Sequence, residues 1–165
     1  MSAAYDAAEW TDLFVATAGA TAALTGLLFV AVSINVERIL AFKGLPERAL
    51  ETLLVLLGGL VVSVLCLAPV ATDTLGWLLL VAGVVLLGAV VRQERISLPQ
   101  RHDRSARAAA GQLALALIGT VPHIVGGIGL IAEAGGGLYW VLGGIVGAFV
   151  SAAANAWVLL IEILR

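Results

Sequence analysis

The stretch "LGWLLLVAGVVLLGAVVRQERISLPQRHDRSAR", Leu75 to Arg107, is an apolar run that ends abruptly in a strongly basic segment. Residues 75–91 contain no charged side chain. A helix needs roughly 20 apolar residues, with a range of about 17 to 25, to cross a hydrocarbon core about 30 Å thick. The stretch therefore predicts a transmembrane helix that is followed by a basic loop, residues 92–107.

The composition extends this prediction to the whole chain. Of 165 residues, 61% are hydrophobic and only 12% are charged. A soluble domain of this size needs a far more polar exterior, so hydrocarbon has to be part of the solvent. No alternating barrel pattern appears, and an open strand edge is not stable in lipid. We therefore predict an all-α, polytopic membrane protein, one bundle of five transmembrane helices with spans at about 13–36, 46–68, 75–91, 108–132 and 138–164.

The basic residues are distributed unevenly along the chain. All nine fall between the first and second spans, between the third and fourth, or at the C-terminus. Since lysine and arginine accumulate in cytoplasmic loops, this partition predicts the N-terminus outside and the C-terminus in the cytoplasm of a cell membrane, of the bacterial inner-membrane type. The outer interface would then carry an aromatic belt of Trp10, Trp77, Tyr139 and Trp140.

Small residues share faces on three of the spans. Close backbone approach through such faces is a main source of helix association in lipid. We therefore expect the first, fourth and fifth spans to form the tight core, and the third to face lipid. The helix-packing glycines of this prediction are Gly19, Gly26, Gly119, Gly126, Gly144 and Gly147.

The segment "GTVPHIVGG", Gly119 to Gly127, interrupts the fourth span with a proline and a histidine. Pro122 removes one helical hydrogen bond and crowds the carbonyl of Ile118, which predicts a kink. The ring of His123 beside it could pack over a glycine and hydrogen-bond to a threonine hydroxyl or a freed carbonyl. Alternatively, His123 could be a gate or ligand contact at a broken helix, as in transporters.

The other polar candidates fall in two layers, one in the outer third of the spans and one near the cytoplasmic side. No ionisable residue separates the layers, which argues against a pump. Glu162 ends the small-residue face of the fifth span, and a ring of such residues around an oligomer axis would favour cations. It could equally snorkel to water or pair with Arg165. Glu37 adjoins Arg38 and Glu51 lies one turn from Arg48, so interfacial ion pairs are the alternative role of these two carboxylates. Pore or ligand candidates besides His123 are Thr21, Asn35, Glu37, Glu51, Gln112, Ser151, Asn155 and Glu162.

The sequence carries no HExxH, GxSxG or paired intramembrane carboxylates, so we expect neither an enzyme nor a catalytic residue, cofactor or metal site. No nucleic-acid partner is expected. The partners are the lipid bilayer, anionic lipid at the basic loop, and further copies of the chain in a homo-oligomer. The favoured function is an oligomeric ion channel or transporter-like permeation protein with a cation-favouring inner mouth. The alternative is an accessory, regulatory or scaffold subunit that packs on another membrane protein through its glycine faces.

Overall fold

The computed structural model describes residues 3–42, 44–97 and 106–164, and in these ranges every regular element is a helix. A short 3-10 helix, Ala7–Trp10, leads into the first α-helix. Asn35 separates the first two α-helices, and Gly44, with φ +89°, precedes the third. The α-helices are α1 (Thr11–Ile34), α2 (Val36–Ala41), α3 (Leu45–Leu67), α4 (Thr72–Ser97), α5 (Ala106–Ile131) and α6 (Gly137–Leu164).

Within the described ranges, five helices are long and apolar enough to cross a membrane, as the sequence predicted. Their spans are Ala7–Ile34, Leu45–Leu67, Thr72–Gln93, Ala110–Ile131 and Gly137–Ile161. The main departure from the predicted bounds is in α4, which stays helical as far as Ser97, so that Arg92 and Arg95 lie on a helix and not in a loop. Arginine and glutamine are good helix formers, and a helix does not have to end where its apolar run ends.

Contacts between successive long helices pair them in antiparallel directions, so the bundle has two distinct ends. The basic end holds Arg38 and Arg48, and also Arg92 and Arg95 on the last turns of α4. The opposite, aromatic end holds the N-terminal segment and the turn between α5 and α6. There the Trp10 and Tyr139 rings meet edge to face with their centroids 5.1 Å apart.

The N-terminal segment is fastened to the aromatic end by hydrogen bonds. The Leu138 amide donates to the Ala4 carbonyl at 2.9 Å, and the Gly136 amide donates to the Tyr5 hydroxyl at 3.0 Å. The Trp10 indole donates to the Ala3 carbonyl at 2.6 Å. These bonds satisfy backbone groups where the chain leaves the helices.

The expectation about the third span was wrong, because α4 packs closely along α5. A Cβ atom built on Gly127 of α5 would lie 2.7 Å from the Leu80 amide nitrogen and 2.8 Å from the Gly76 carbonyl oxygen. Gly76 and Gly83 of α4, seven residues apart, both face α5. Neither glycine belongs to a polar stripe, because the remaining residues of that face are apolar.

The first span also departs from the expected core. Helix α1 packs mainly on α3, and only 17% of its most apolar window is buried. The most buried spans are instead those of α3, α5 and α6, with 44% of each apolar window buried. The largest apolar cluster of the bundle joins Phe14 of α1 to side chains of α3, α4, α5 and α6 near the aromatic end.

Candidate functional site

The most deeply buried carboxylate of the described bundle is that of Glu51 on α3, which is 1% exposed. The Gln112 side-chain amide on α5, itself 3% exposed, donates a hydrogen bond to Glu51 Oε2. Both residues lie inside spans that are apolar enough to cross a membrane. An ionisable side chain at such a position is energetically expensive, so its partners decide whether it is tolerated.

Helix α6 brings two further polar side chains to the same part of the bundle. Ser151 is fully buried and Asn155 is 1% exposed. Neither Ser151 Oγ nor Asn155 Nδ2 has a hydrogen-bond partner among the residues that the structure describes. A buried polar group left in this state costs about 1–3 kcal/mol relative to a satisfied one.

The glycine contacts give the relative depth of these residues. A Cβ built on Gly119 of α5 would lie 3.2 Å from Ala148 Cα on α6 and 3.4 Å from Val55 Cγ1 on α3. Gln112 is seven residues before Gly119, and Asn155 is seven residues after Ala148. Since α5 and α6 are antiparallel, both lie about 10 Å from this contact toward the basic end. Glu51 precedes Val55 by one turn, which puts it on the same side.

His123 lies on the other side of that contact, toward the aromatic end. Its ring covers Gly144 so closely that a Cβ there would be 2.5 Å from Cε1 and 2.7 Å from Nδ1. The His123 ring therefore packs over a glycine as predicted, and this glycine is Gly144. The predicted hydrogen bond is absent, since neither ring nitrogen has a partner among the described residues. His123 is fully buried.

Thr21 belongs to a different contact, the seam between α1 and α3. Its hydroxyl donates to the Thr17 carbonyl of its own helix at 2.6 Å, and its methyl group lies 3.3 Å from a Cβ built on Gly59. One turn away, the Thr17 and Ser63 hydroxyls form a hydrogen bond of 2.9 Å between the helices. The threonine face of α1 is thus used for helix packing and does not join Glu51 and Gln112.

The remaining predicted residues are dispersed. Asn35 donates from its side chain to the Ala31 carbonyl at 2.9 Å, and Glu37 is exposed on α2. The side chain of Glu162 and residues 98–105 of the basic loop lie outside the described part of the chain.

The predicted packing glycines divide into two groups. Inside the bundle, a Cβ on Gly126 would lie 2.7 Å from Val141 Cγ2, and one on Gly147 would lie 2.5 Å from the Ile118 carbonyl oxygen. At Gly19 and Gly26 of α1, no atom outside the adjacent backbone of the same helix lies within 4 Å of the Cβ position. The small-residue face of α1 is therefore exposed in this chain.

Some buried polar residues were not among the predicted candidates, among them Thr52 beside Glu51 and Thr120. Thr120 on α5 is fully buried, and its hydroxyl donates to the Ala116 carbonyl at 2.9 Å. It precedes His123 by three residues, so their shared helix face was a usable signal. Across the described residues, no three His, Cys, Asp or Glu side chains come together as metal ligands.

The chain matches no family model, and neither the curated proteins nor the solved structures contain a match.

Proposed function

We propose that the protein is a transporter-like permeation protein that moves cations across the cell membrane. The observation that carries this proposal is a set of buried polar side chains on α3, α5 and α6, which lie roughly 4 to 10 Å from the contact of Gly119 with Ala148 toward the basic end. It contains the Glu51 carboxylate, its partner Gln112, and the polar atoms Ser151 Oγ and Asn155 Nδ2, which lack partners among the described residues. We call these four residues the polar layer.

A structural role alone accounts poorly for the polar layer. On insertion scales a charged side chain costs about 2.5–3.5 kcal/mol at the centre of a membrane helix, and less toward its ends; Glu51 lies six residues inside its span, one turn from Arg48. Apolar side chains of similar volume would fill the same seam without that cost. Intramembrane carboxylates that face a bundle interior commonly mark ion pathways. The polar layer therefore fits a site that exchanges a positively charged ligand.

The proposed cation site lies inside a single bundle and not in a ring of residues around an oligomer axis. Ser151 and Asn155 face the interior of their own bundle, so we assign one cation site to each protomer. Homo-oligomers would form through other surfaces. A mouth of Glu162 carboxylates could still concentrate cations at the end of α6.

Two further inferences complete the proposal, one about the orientation of the bundle in the membrane and one about a bend in α5. We infer that the basic end faces the cytoplasm, because lysine and arginine accumulate in the cytoplasmic loops of membrane proteins. The N-terminus, at the opposite end, is then outside. Anionic lipid would then contact the basic loop. We also infer that α5 bends at Pro122, where a backbone hydrogen bond is missing. A bend between His123 and the polar layer would allow the two halves of α5 to move separately.

The exposed face of α1 favours a second function, that of an accessory or scaffold subunit. Gly19 and Gly26 are uncovered, and their separation of seven residues puts both on one side of the helix. A face of this type allows close approach of a partner helix. Gly26→Leu would then abolish co-purification with that partner, while Gly111→Leu, at an equally uncovered glycine of α5, would not.

The test of the cation proposal is flux through purified protein in liposomes. Wild-type protein should carry H⁺, Na⁺ or K⁺ under an imposed membrane potential, and Glu51→Gln should lose this flux because an amide cannot neutralise a cation. The control is Glu133→Gln, which removes an exposed carboxylate from the turn between α5 and α6. Absence of flux in wild type, or normal flux in Glu51→Gln, would contradict the proposal.

A further inference from the structure

An apolar groove separates α1 from α6 in the basic half of the bundle. Both helices pack on α3, but across the described residues they meet each other only weakly. The groove has two connected segments of about 290 Å³ each, which share Leu28, Ala31 and Ala156. Thr52 and Leu56 of α3 form part of its lining. Because alanine stands on both facing helices, the space that larger side chains would fill stays open.

The length of the groove matches one leaflet of a bilayer. Along α1 its lining runs from Leu24 to Asn35, which is about 16 Å at 1.5 Å per residue. Half of a hydrocarbon core about 30 Å thick is about 15 Å. Leu24 lies just past the middle of the first apolar span, and Asn35 directly follows its end. The groove is therefore as long as the region that the acyl chains of a single leaflet occupy.

The volume of the groove fits a narrow flexible chain and not a helix. A helix with its side chains is about 10–12 Å across, so over half of the groove it needs more than twice the volume of one segment. Lipid tails are as apolar as leucine, so a chain in the groove gains van der Waals contact with the walls and no hydrophobic free energy. An acyl chain of the surrounding lipid is therefore the occupant that the dimensions support.

The basic end of the groove carries the polar groups that a phospholipid head group requires. Asn35 lines this end, and its side-chain amide donates to the Ala31 carbonyl at 2.9 Å. Ile39 of α2 lines it as well. At about 100° per residue, the exposed Arg38 lies on the adjacent face of α2 and Glu37 on the opposite face. A phosphate at the mouth would thus be nearer to the arginine than to the carboxylate.

A second groove, between α3 and α4, does not combine these two features. It holds about 210 Å³, and the described residues that line it are all apolar, from Leu54 of α3 to Ala89 of α4. Such a lining can contact an acyl chain but gives no preference for a head group. The groove between α1 and α6 has both the apolar length and the basic mouth, and basic pockets between membrane helices favour anionic lipids.

We propose that the groove between α1 and α6 binds one anionic phospholipid, with an acyl chain along the groove and the head group beside Asn35 and Arg38. Only 17% of the most apolar window of α1 is buried, and α1 packs mainly on α3. The bound chain therefore connects α1 to α6 and stabilises the position of α1. Lipid binding at this groove does not depend on the proposed cation flux, so either can fail without the other.

The experiment counts the lipids bound to purified protein by native mass spectrometry in mild detergent. The probes are phosphatidylglycerol, which is anionic, and phosphatidylcholine with the same acyl chains. Wild type should bind one phosphatidylglycerol about five-fold more tightly than phosphatidylcholine, the effect of one arginine at a membrane surface. Ala156→Leu enlarges the side chain that both segments share and should lose this lipid. Ala114→Leu makes the same change at an exposed alanine of α5 outside the groove and should keep it.

A second variant tests the position of the head group. Arg38→Gln should weaken binding of phosphatidylglycerol about five-fold and leave that of phosphatidylcholine unchanged. The effect should vanish in the Ala156→Leu background, because the chain and the head group belong to one ligand. The control is Arg92→Gln, which removes an exposed arginine of α4 at the same end of the bundle. Its effect should be the same with and without Ala156→Leu.

Phosphatidylglycerol should also raise the unfolding temperature of wild type more than that of Ala156→Leu. Equal binding of the two lipids by wild type, or an unchanged tightly bound lipid in Ala156→Leu, would overturn the lipid site. So would a dimer that Ala156→Leu separates, because a helix of a second copy would then occupy the groove. If Ala156→Leu does not assemble, Ala153→Leu, at another exposed alanine of the groove, should show the same loss of lipid.

Discussion

Replacing Gly127 by alanine tests the close approach of α4 and α5. The new Cβ would lie 2.7 Å from the Leu80 amide nitrogen, about 0.7 Å closer than the 3.4 Å of ordinary van der Waals contact. The neighbouring atoms belong to a backbone, so no side chain can rotate away and the helices must separate locally. Overpacking of this type costs about 1–3 kcal/mol.

The matched control lies on the same helix. Gly111 of α5 has no other atom within 4 Å of its Cβ position. Gly111→Ala should therefore be neutral or stabilise the helix by up to about 1 kcal/mol, since alanine is the better helix former. Both variants can be compared with wild type by titrating the purified protein in mild detergent with a denaturing detergent, with circular dichroism as the readout. Wild-type stability of Gly127→Ala, or equal losses in the two variants, would refute the packing argument.

Three further predictions concern other parts of the chain. Thr17→Val should destabilise the bundle by about 0.6 kcal/mol through loss of the hydroxyl contact between α1 and α3, and the loss should vanish in a Ser63→Ala background. Asp73→Cys should react with an impermeant thiol reagent in intact cells and Ser97→Cys should not; the reverse pattern would invert the proposed orientation. Glu162→Gln should leave assembly intact, as judged by gel filtration, and reduce cation flux if carboxylates at the mouth concentrate cations; unchanged flux would remove Glu162 from the pathway.

The candidate site could be predicted only in part. Glu51, Gln112, Ser151 and Asn155 stand out in the sequence as polar residues within apolar spans. Their association could not be read there, because Glu51 and Gln112 are 61 residues apart and on different helices. Similarly, His123 was a candidate beside Pro122, but its contact with Gly144 depends on the register of α5 against α6.

The sequence by itself determined the class of structure, five apolar helices without a strand in the described chain, and this has a local physical cause. In hydrocarbon each backbone must satisfy its own hydrogen bonds, so an apolar run of sufficient length can only be a helix. Only the tertiary structure decided which helix faces meet. It covered Gly76 and Gly83 of α4 with α5, and it left Gly19 and Gly26 of α1 exposed. Both pairs are seven residues apart, so spacing alone cannot separate them. The choice depends on the complementary shapes of two helix surfaces, since lipid provides no hydrophobic driving force to select one face over another.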